Sequence, residues 1–409
     1  MRVLLTFVPL FLSVMLLQLS SGAIGPLDVL SGLKMDFSKP EIGLLGSAHF
    51  LGFFLGCWWA PRLMGGVGHS RSFAVFAACG AMGVIAHPLF PDALTWTVLR
   101  IMTGLCIAGC YTVIEAWMQA MLTNQNRGKV MGFYRLVDIG ASSVAQLMIG
   151  VLEPASYVSY NLLGILCCAC IFPLTLSTNT QPKTPEAPRL RPLQTALISP
   201  LGAAGVMIAG LTASSFRMVG PIYGQAVGLS NLQIGYFLAT VLIGGAIAQF
   251  PAGWLADRYD RRWVLISLSG LSVVVCGGVV VIGAGGFYAI FIGAALFGIA
   301  TFPIFSVASA HTNDFTDPAK SVEVNASLMF IYGVGAIFSP FVTSTLIDLY
   351  GPSALFIFIA FAHLILVIFS LTRMLARPTL TERTSYTYLP RTSFTIFKLL
   401  RRNKRKDDS

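Results

Sequence analysis

The sequence predicts an all-α, polytopic membrane protein with twelve transmembrane helices in two six-helix bundles. Three observations carry that expectation. Of 409 residues, 55% are hydrophobic and only 11% charged, with a mean hydropathy of +0.76, which is membrane composition and not that of one large soluble core. Apolar stretches of membrane-spanning length, about 20 residues at 1.5 Å each, recur from the first residues to about position 375. The second half of the chain also repeats features of the first.

The predicted spans are 4–27, 41–63, 72–90, 93–120, 129–152 and 156–176, then 200–224, 231–255, 263–283, 287–310, 324–347 and 353–375. Hydrocarbon offers no partner to an unpaired backbone amide, and the runs are too long and uniformly apolar for barrel strands, so the spans are expected to be helices. The opening MRVLLTFVPLFLSVMLLQLSSGAIG has the basic start, apolar run and small residues of a secretory signal. The apolar segment continues to Leu27, and removing it leaves eleven spans and spoils the repeat, so it is taken as the first helix.

Residues 177–199 are a polar, Pro- and Thr-rich interruption and read as a cytoplasmic linker. It divides the chain into an N-terminal bundle, 1–176, and a C-terminal bundle, 200–375, with a basic cytoplasmic tail, 376–409. SKPEIGLLGSAHFLGFFLG from Ser38 and SNLQIGYFLATVLIGGAIA from Ser230 each contain a capping box, an Ile-Gly and a glycine fourteen residues past the serine. In each box the serine caps the third helical amide while Glu41 or Gln233 reaches back. The segments GLCIAG and GAALFG add a second match, each with glycines five apart. Six-plus-six repeats around a central linker point to a secondary transporter, with its substrate bound near mid-membrane between halves that rock.

Placing both termini in the cytoplasm puts 22 of the 27 Lys and Arg residues on that side, against Lys34 and Lys39 on the other. This is a positive-inside bias. The net charge of +10 then reports topology and anionic lipid, not nucleic acid. In the tail, KLLRRNKRK beside Phe394, Ile396 and Phe397 is expected to rest on anionic lipid. All eight cysteines lie in the predicted spans without nearby His or carboxylate co-ligands, so they read as packing residues, with no metal and no cofactor expected.

Residues 253–262, GWLADRYDRR, place five charges in ten positions, in what reads as the short loop between the eighth and ninth helices. The stretch resembles the Gly-x-Leu-Ala-Asp-Arg-x-Gly-Arg-Arg signature of the major facilitator superfamily through Gly253, Asp257, Arg258, Arg261 and Arg262, with Asp260 where glycine is usual. A carboxylate at a helix end facing arginines can form a cytoplasmic latch. An exposed ion pair contributes only about 0–1 kcal/mol, so a latch needs burial or a network. The first-half counterpart GCWWAPRLMGGVGHSR has Pro61 and Arg62 roughly where Asp-Arg is expected, without the acid. With IEAWMQ and QFPAGWLADRYDRR, it is similar to the bacterial YcaD-like branch, which implies an inner-membrane permease, multi-pass with both termini cytoplasmic.

Ionisable groups inside membrane helices are costly and become site candidates. Glu115 and Arg135 both sit roughly 8–9 Å deep, counting 1.5 Å per residue. They are expected to pair across the helical hairpin, with Asp138 as a competing partner for Arg135; the pair serves either as a permanent lock or as a moving gate. Arg217, near Gly220 and Pro221, either snorkels to headgroups or faces the cavity and attracts an anionic group. Arg100 begins RIMTGLCIAG and resembles the Arg-x-x-x-Gly pattern of proton-coupled superfamily members, which implies a part in coupling; the alternative is an interfacial arginine near Asp92. His49 is a further proton-carrier candidate. Gln18, Ser20, Ser21, Tyr111, Trp117, Gln146 and Tyr332 are candidate cavity residues.

No Walker loop and no nucleophile-base grouping is present, which disfavours ATP-driven pumping and an embedded enzyme. The fifth predicted helix, GFYRLVDIGASSVAQLMIG, lacks the Gly-Pro motif associated with drug-efflux relatives. The expectation is therefore a monomeric, proton-coupled carrier of a small polar or anionic solute. Its rivals are an efflux antiporter and a transporter-shaped receptor that moves nothing, the latter kept open by the missing acid at Pro61.

Overall fold

A backbone amide in hydrocarbon is satisfied only within its own helix, and among the described residues every long element is helical. The computed structural model describes residues 2–123, 126–177, 190–282, 286–317 and 320–376. Residues up to 177 belong to one compact unit and residues from 190 to 376 to a second.

Unit 1 contains α1 (Arg2–Lys34), α2 (Lys39–Val67), α3 (His69–Ala86) with a 3₁₀ turn at His87–Leu89, α4 (Ala93–Met121), α5 (Arg127–Met148), α6 (Tyr157–Ala169) and α7 (Ile171–Thr175). Unit 2 contains α8 (Pro192–Ile198), α9 (Pro200–Ala226), α10 (Asn231–Arg258), α11 (Arg261–Ile282), α12 (Phe287–Thr301), α13 (Ile304–Asp314), α14 (Ser321–Tyr350) and α15 (Ala354–Ala376). The pairs α6/α7 and α12/α13 each make one span. The second pair is interrupted before Pro303, whose missing amide hydrogen breaks the helical ladder.

Among the described residues, eleven helices are long and apolar enough to cross a membrane. The twelfth expected span is α5. It is long enough at 22 residues, but Arg127, Lys129, Arg135 and Asp138 make it too polar to qualify by composition.

Both capping boxes form. Ser38 Oγ accepts from the Glu41 amide at 3.4 Å, and the Glu41 carboxylate accepts from the Ser38 amide at 2.8 Å. Ser230 and Gln233 repeat the pattern at 3.4 and 2.9 Å. Each box starts a helix that lies tightly along another, α2 on α4 and α10 on α12, and glycines set the approach. A Cβ at Gly52 would fall on the carbonyl of Ile101, and one at Gly244 would lie 2.5 Å from the carbonyl oxygen of Ala295. Reciprocally, a Cβ at Gly104 would strike the His49 carbonyl, and one at Gly298 the Val241 carbonyl. The glycines that share a role are therefore Gly104 and Gly298. The sequence match aligns GLCIAG with GAALFG from their first glycines, but Gly109 faces the Phe76 ring and Gly293 faces Val279.

Three sequence expectations are corrected. GWLADRYDRR is mostly helix: Gly253–Arg258 end α10, Arg261 starts α11, and only Tyr259 and Asp260 connect them. Pro61 and Arg62 lie inside α2, which runs to Val67 and joins α3 through Gly68 alone, at φ +86°. Glycine adopts that left-handed conformation without a Cβ penalty. The linker assigned to 177–199 includes a helix, α8, whose Thr195 is buried and whose leading Arg191 amide donates to Ser327 Oγ of α14 at 2.9 Å. The proposed lipid-binding tail lies outside the described residues.

Gly52→Val and Gly244→Val are each expected to cost about 3 kcal/mol or more, because a backbone carbonyl cannot yield to the added side chain as a rotamer can. Gly277→Val, where a Cβ meets open space, is the control. Fluorescence-detected size-exclusion chromatography after a heat step should show loss of the monodisperse peak for the first two only.

Candidate functional site

Helix α1 continues seven residues beyond the predicted end at Leu27, and this places Asp28 inside unit 1. Asp28 lies six residues before the helix end at Lys34, about 9 Å in at 1.5 Å per residue. Its carboxylate is fully buried, as are His87, Arg100, Tyr160 and Trp96 around it. Tyr160 donates its hydroxyl to Asp28 Oδ1 at 2.8 Å, Arg100 Nη1 stands 3.4 Å from Oδ2, and His87 Nε2 stands 3.5 Å from the same oxygen. Four elements thus converge on one carboxylate: α1, the turn after α3, α4 and α6.

The surroundings fix these groups. His87 Nδ1 lies 2.7 Å from the Gly83 carbonyl, which accepts its proton, and the Trp96 indole donates to the His87 carbonyl at 2.9 Å. The Tyr160 ring stacks on His87 with centroids 5.5 Å apart and planes at 10°. Arg100, by contrast, is under-satisfied: neither Nε nor Nη1 makes a hydrogen bond in this buried site. Donors left without a bond in a buried site are costly, so the pairing with Asp28 is mainly Coulombic. The alternative placement of Arg100 beside Asp92 is overturned. Asp92 is the N-cap of α4 and accepts from the Thr95 amide at 2.8 Å; hydrogen bonding from the Thr95 side chain first, and from that amide second, holds its carboxyl below the usual range.

The other candidates fall in several places. Glu115 is buried and accepts from the Tyr134 hydroxyl at 3.0 Å, while Arg135 Nη1 pairs with Asp138 at 3.2 Å one turn along α5. Gln18 Oε1 accepts from the Tyr111 hydroxyl, joining α1 to α4, and Ser21 donates to the same oxygen at 3.4 Å. Gln146 is a tie between helices, donating to the Gly22 carbonyl at 3.1 Å. Trp117 is buried in the unit 1 core with its ring edge-on to His69, and His49 is buried between the rings of Phe50 and Phe53. In unit 2, Arg217 is partly buried and Tyr332 packs edge-on against Phe305 at 5.4 Å.

The charged segment of unit 2 is a knot around Arg261. This side chain is buried and donates to the Ala256 carbonyl at 3.2 Å, the Ala310 carbonyl at 2.8 Å and Asp314 at 2.5 Å, with Asp257 at 3.5 Å. It fastens the end of α10 and the end of α13 to the start of α11. Asp260, which replaces the usual glycine, binds Arg262 through Nη2 at 2.8 Å and Nε at 3.0 Å. Arg258 is exposed over the Trp254 ring. In unit 1, Arg62 turns back on its own helix, donating to the Trp58 carbonyl at 2.5 Å with its guanidinium over the Trp58 ring, and Pro61 is partly buried.

Sequence reasoning missed Asp28, His87, Tyr160 and Asp314. The available signal for Asp28 was a carboxylate following an apolar run that contains Pro26, which reads as a helix end but is helix interior. His87-Pro88 likewise reads as a terminus.

Two units of long apolar helices, with charges held inside by opposite charges, define a polytopic membrane protein. The profile of the Major Facilitator Superfamily matches residues 202–405. An uncharacterized MFS-type transporter of Enterobacter sp. (strain 638) is 27% identical over 83% of this chain and 88% of its own length. The uncharacterized MFS-type transporter YcaD of Salmonella paratyphi A is 26% identical over 86% of this chain and 91% of its own. Among solved structures, a point mutant of the nucleoside transporter NupG aligns with a TM-score of 0.79 at 12% identity, covering 90% of this chain and all of that one. A bacterial homolog of the human lysosomal transporter Spinster aligns at 0.70 and 13% identity, over 97% and 96%. The chain belongs to the major facilitator superfamily.

Removing one member of a buried ion pair leaves the other charge uncompensated, at a cost of about 3–5 kcal/mol. Asp28→Ala and Arg100→Ala are each expected to destabilise unit 1 by that order, and the double variant by clearly less than their sum. Thermal unfolding in detergent, run as a double-mutant cycle, measures the difference.

Proposed function

We propose that this protein is a secondary active transporter that carries a small polar or anionic solute by alternating access of its two six-helix units, in symport with protons. Membership of a transporter superfamily supports the transport reading. The observation that carries proton coupling is the buried Asp28–Arg100 pair with its unmatched guanidinium donors. A carboxylate that gains a proton loses its hold on Arg100, and a guanidinium already short of partners can then move to another arrangement. His87 Nε2 and the Tyr160 hydroxyl face the same carboxylate.

In this reading Glu115, Tyr134, Arg135 and Asp138 form a second ionisable group in unit 1 that shifts during the cycle. Arg217 attracts the anionic part of the solute. The Arg261 knot is the cytoplasmic latch of unit 2. The distribution of Lys and Arg supports both termini on the cytoplasmic side; in this reading the protein is a monomer in a bacterial inner membrane, and its bacterial MFS-type relatives support the membrane location. Because a protein of similar fold is a nucleoside transporter, nucleosides are among the solutes to be tried.

Purified protein in sealed proteoliposomes containing a pH-sensitive dye should show proton movement on addition of one member of a panel of nucleosides, small carboxylates and other polar solutes. Solute flux with no proton movement would remove the coupling, and absence of flux for every solute, in protein that still binds one of them, would favour a receptor.

A further inference from the structure

Between Asp28 and the exposed Lys34 end of α1 lies Ser31, fully buried and about one turn from each. Its Oγ accepts from the Ala155 amide at 2.8 Å, and its hydroxyl is in hydrogen-bond reach of Tyr160, whose own hydroxyl donates to Asp28 Oδ1 at 2.8 Å. Because Tyr160 gives its hydrogen to Asp28, Ser31 is the donor to Tyr160. The hydroxyls therefore stand in file, Ser31 to Tyr160 to Asp28, and the file stops at the Ala155 amide. His87 and Arg100 face Asp28 as well, but it is Tyr160 that continues toward the helix end.

Ala155 belongs to the connection between α5 and α6, which weak ties hold against α1. Lys34 Nζ pairs with Glu153 Oε1 at 3.2 Å and donates to the Pro154 carbonyl at 3.1 Å, and both charged side chains are more than half exposed. An exposed ion pair contributes little. Ala155 itself is held at φ +58°, a left-handed conformation that crowds its Cβ. A strained residue fixed by one exposed pair and a few hydrogen bonds marks a segment that opens locally at low cost.

We propose that Ser31 is the entry point for the proton of Asp28, and that the turn at 153–155 is the gate over it. While the turn is down, the Ala155 amide occupies the Ser31 oxygen. When the Lys34 ties break and the turn lifts, water takes the place of that amide. A proton delivered to Ser31 Oγ releases the serine's own hydrogen to the Tyr160 oxygen and the tyrosine's hydrogen to Asp28 Oδ1, leaving Asp28 neutral and both hydroxyls restored. The proposal rests on Asp28 as the proton site of the transport cycle and adds the route by which it is reached.

The test is time-resolved infrared spectroscopy of full-length protein in detergent after a rapid drop in pH. It follows the carbonyl stretch of protonated Asp28, assigned by its absence from Asp28→Asn. Lys34→Gln and Glu153→Gln should each speed its appearance about fivefold, the effect of an exposed ion pair lost together with a hydrogen bond. One variant removes a positive charge and the other a negative one, so rates that move in opposite directions would report a field effect on Asp28 and overturn the gate. Ser31→Ala should slow the appearance below the wild-type rate even though it frees the turn, whereas a purely structural serine would give acceleration and overturn the entry route. Unchanged rates in all three variants would overturn the whole proposal. No Asp28-dependent band at any pH would instead remove the proton site itself, the reading beneath it. Midpoints of thermal unfolding show that each variant is folded.

Discussion

A charge taken into hydrocarbon must be met by the protein itself, and the architecture of this chain follows from how it meets that demand. Asp28 is the clearest instance. Its carboxylate is excluded from water and is answered by Arg100, His87 and Tyr160 from three other elements. Those elements hold their positions because α2 and α4 meet backbone to backbone through Gly52 and Gly104, and because Gln146 ties α5 to α1. The charge and the close packing depend on each other. A looser bundle would admit water, and an unpaired carboxylate would force the bundle open.

The two units share their packing and differ in their charges. The capping boxes and the reciprocal glycine-to-carbonyl contacts recur in α2/α4 and α10/α12. Unit 1 buries its ionic cluster near the Lys34 end of α1, whereas unit 2 builds its knot where α10 meets α11. Counted from the matched serines Ser38 and Ser230, the places of Asp257 and Arg261 are taken in unit 1 by Gly65 and His69, so that ion pair has no counterpart there, and the nearby Arg62 is folded onto its own helix. Duplicated packing with divergent charge is consistent with a common scaffold whose halves have taken different mechanical duties.

Much of the fold was legible in the sequence. Span-length apolar runs forced helices, and Ser38 and Ser230 announced two helix starts to the residue. Features fixed by tertiary partners were not legible. Pro26 and Asp28 look like the end of a helix, and only burial against α4 and α6 makes that segment interior. GWLADRYDRR looks like a loop because it is charged, yet Arg261 can be buried inside a helix start because Ala310 and Asp314, about fifty residues on, receive it. Trp117 and Gln146 look like cavity residues by polarity. Since helices apolar on all sides give no periodicity, their role as core and tie is visible only in the packing.

The central claim is that the proton taken up by the carrier is held at Asp28. It is tested most directly by comparing two modes of transport in Asp28→Asn reconstituted in liposomes. Equilibrium exchange of solute across the membrane needs the moving parts but no change in protonation, while uphill accumulation driven by a pH gradient needs both. The account predicts that the variant retains exchange and loses accumulation. Accumulation at the wild-type level in Asp28→Asn would contradict it.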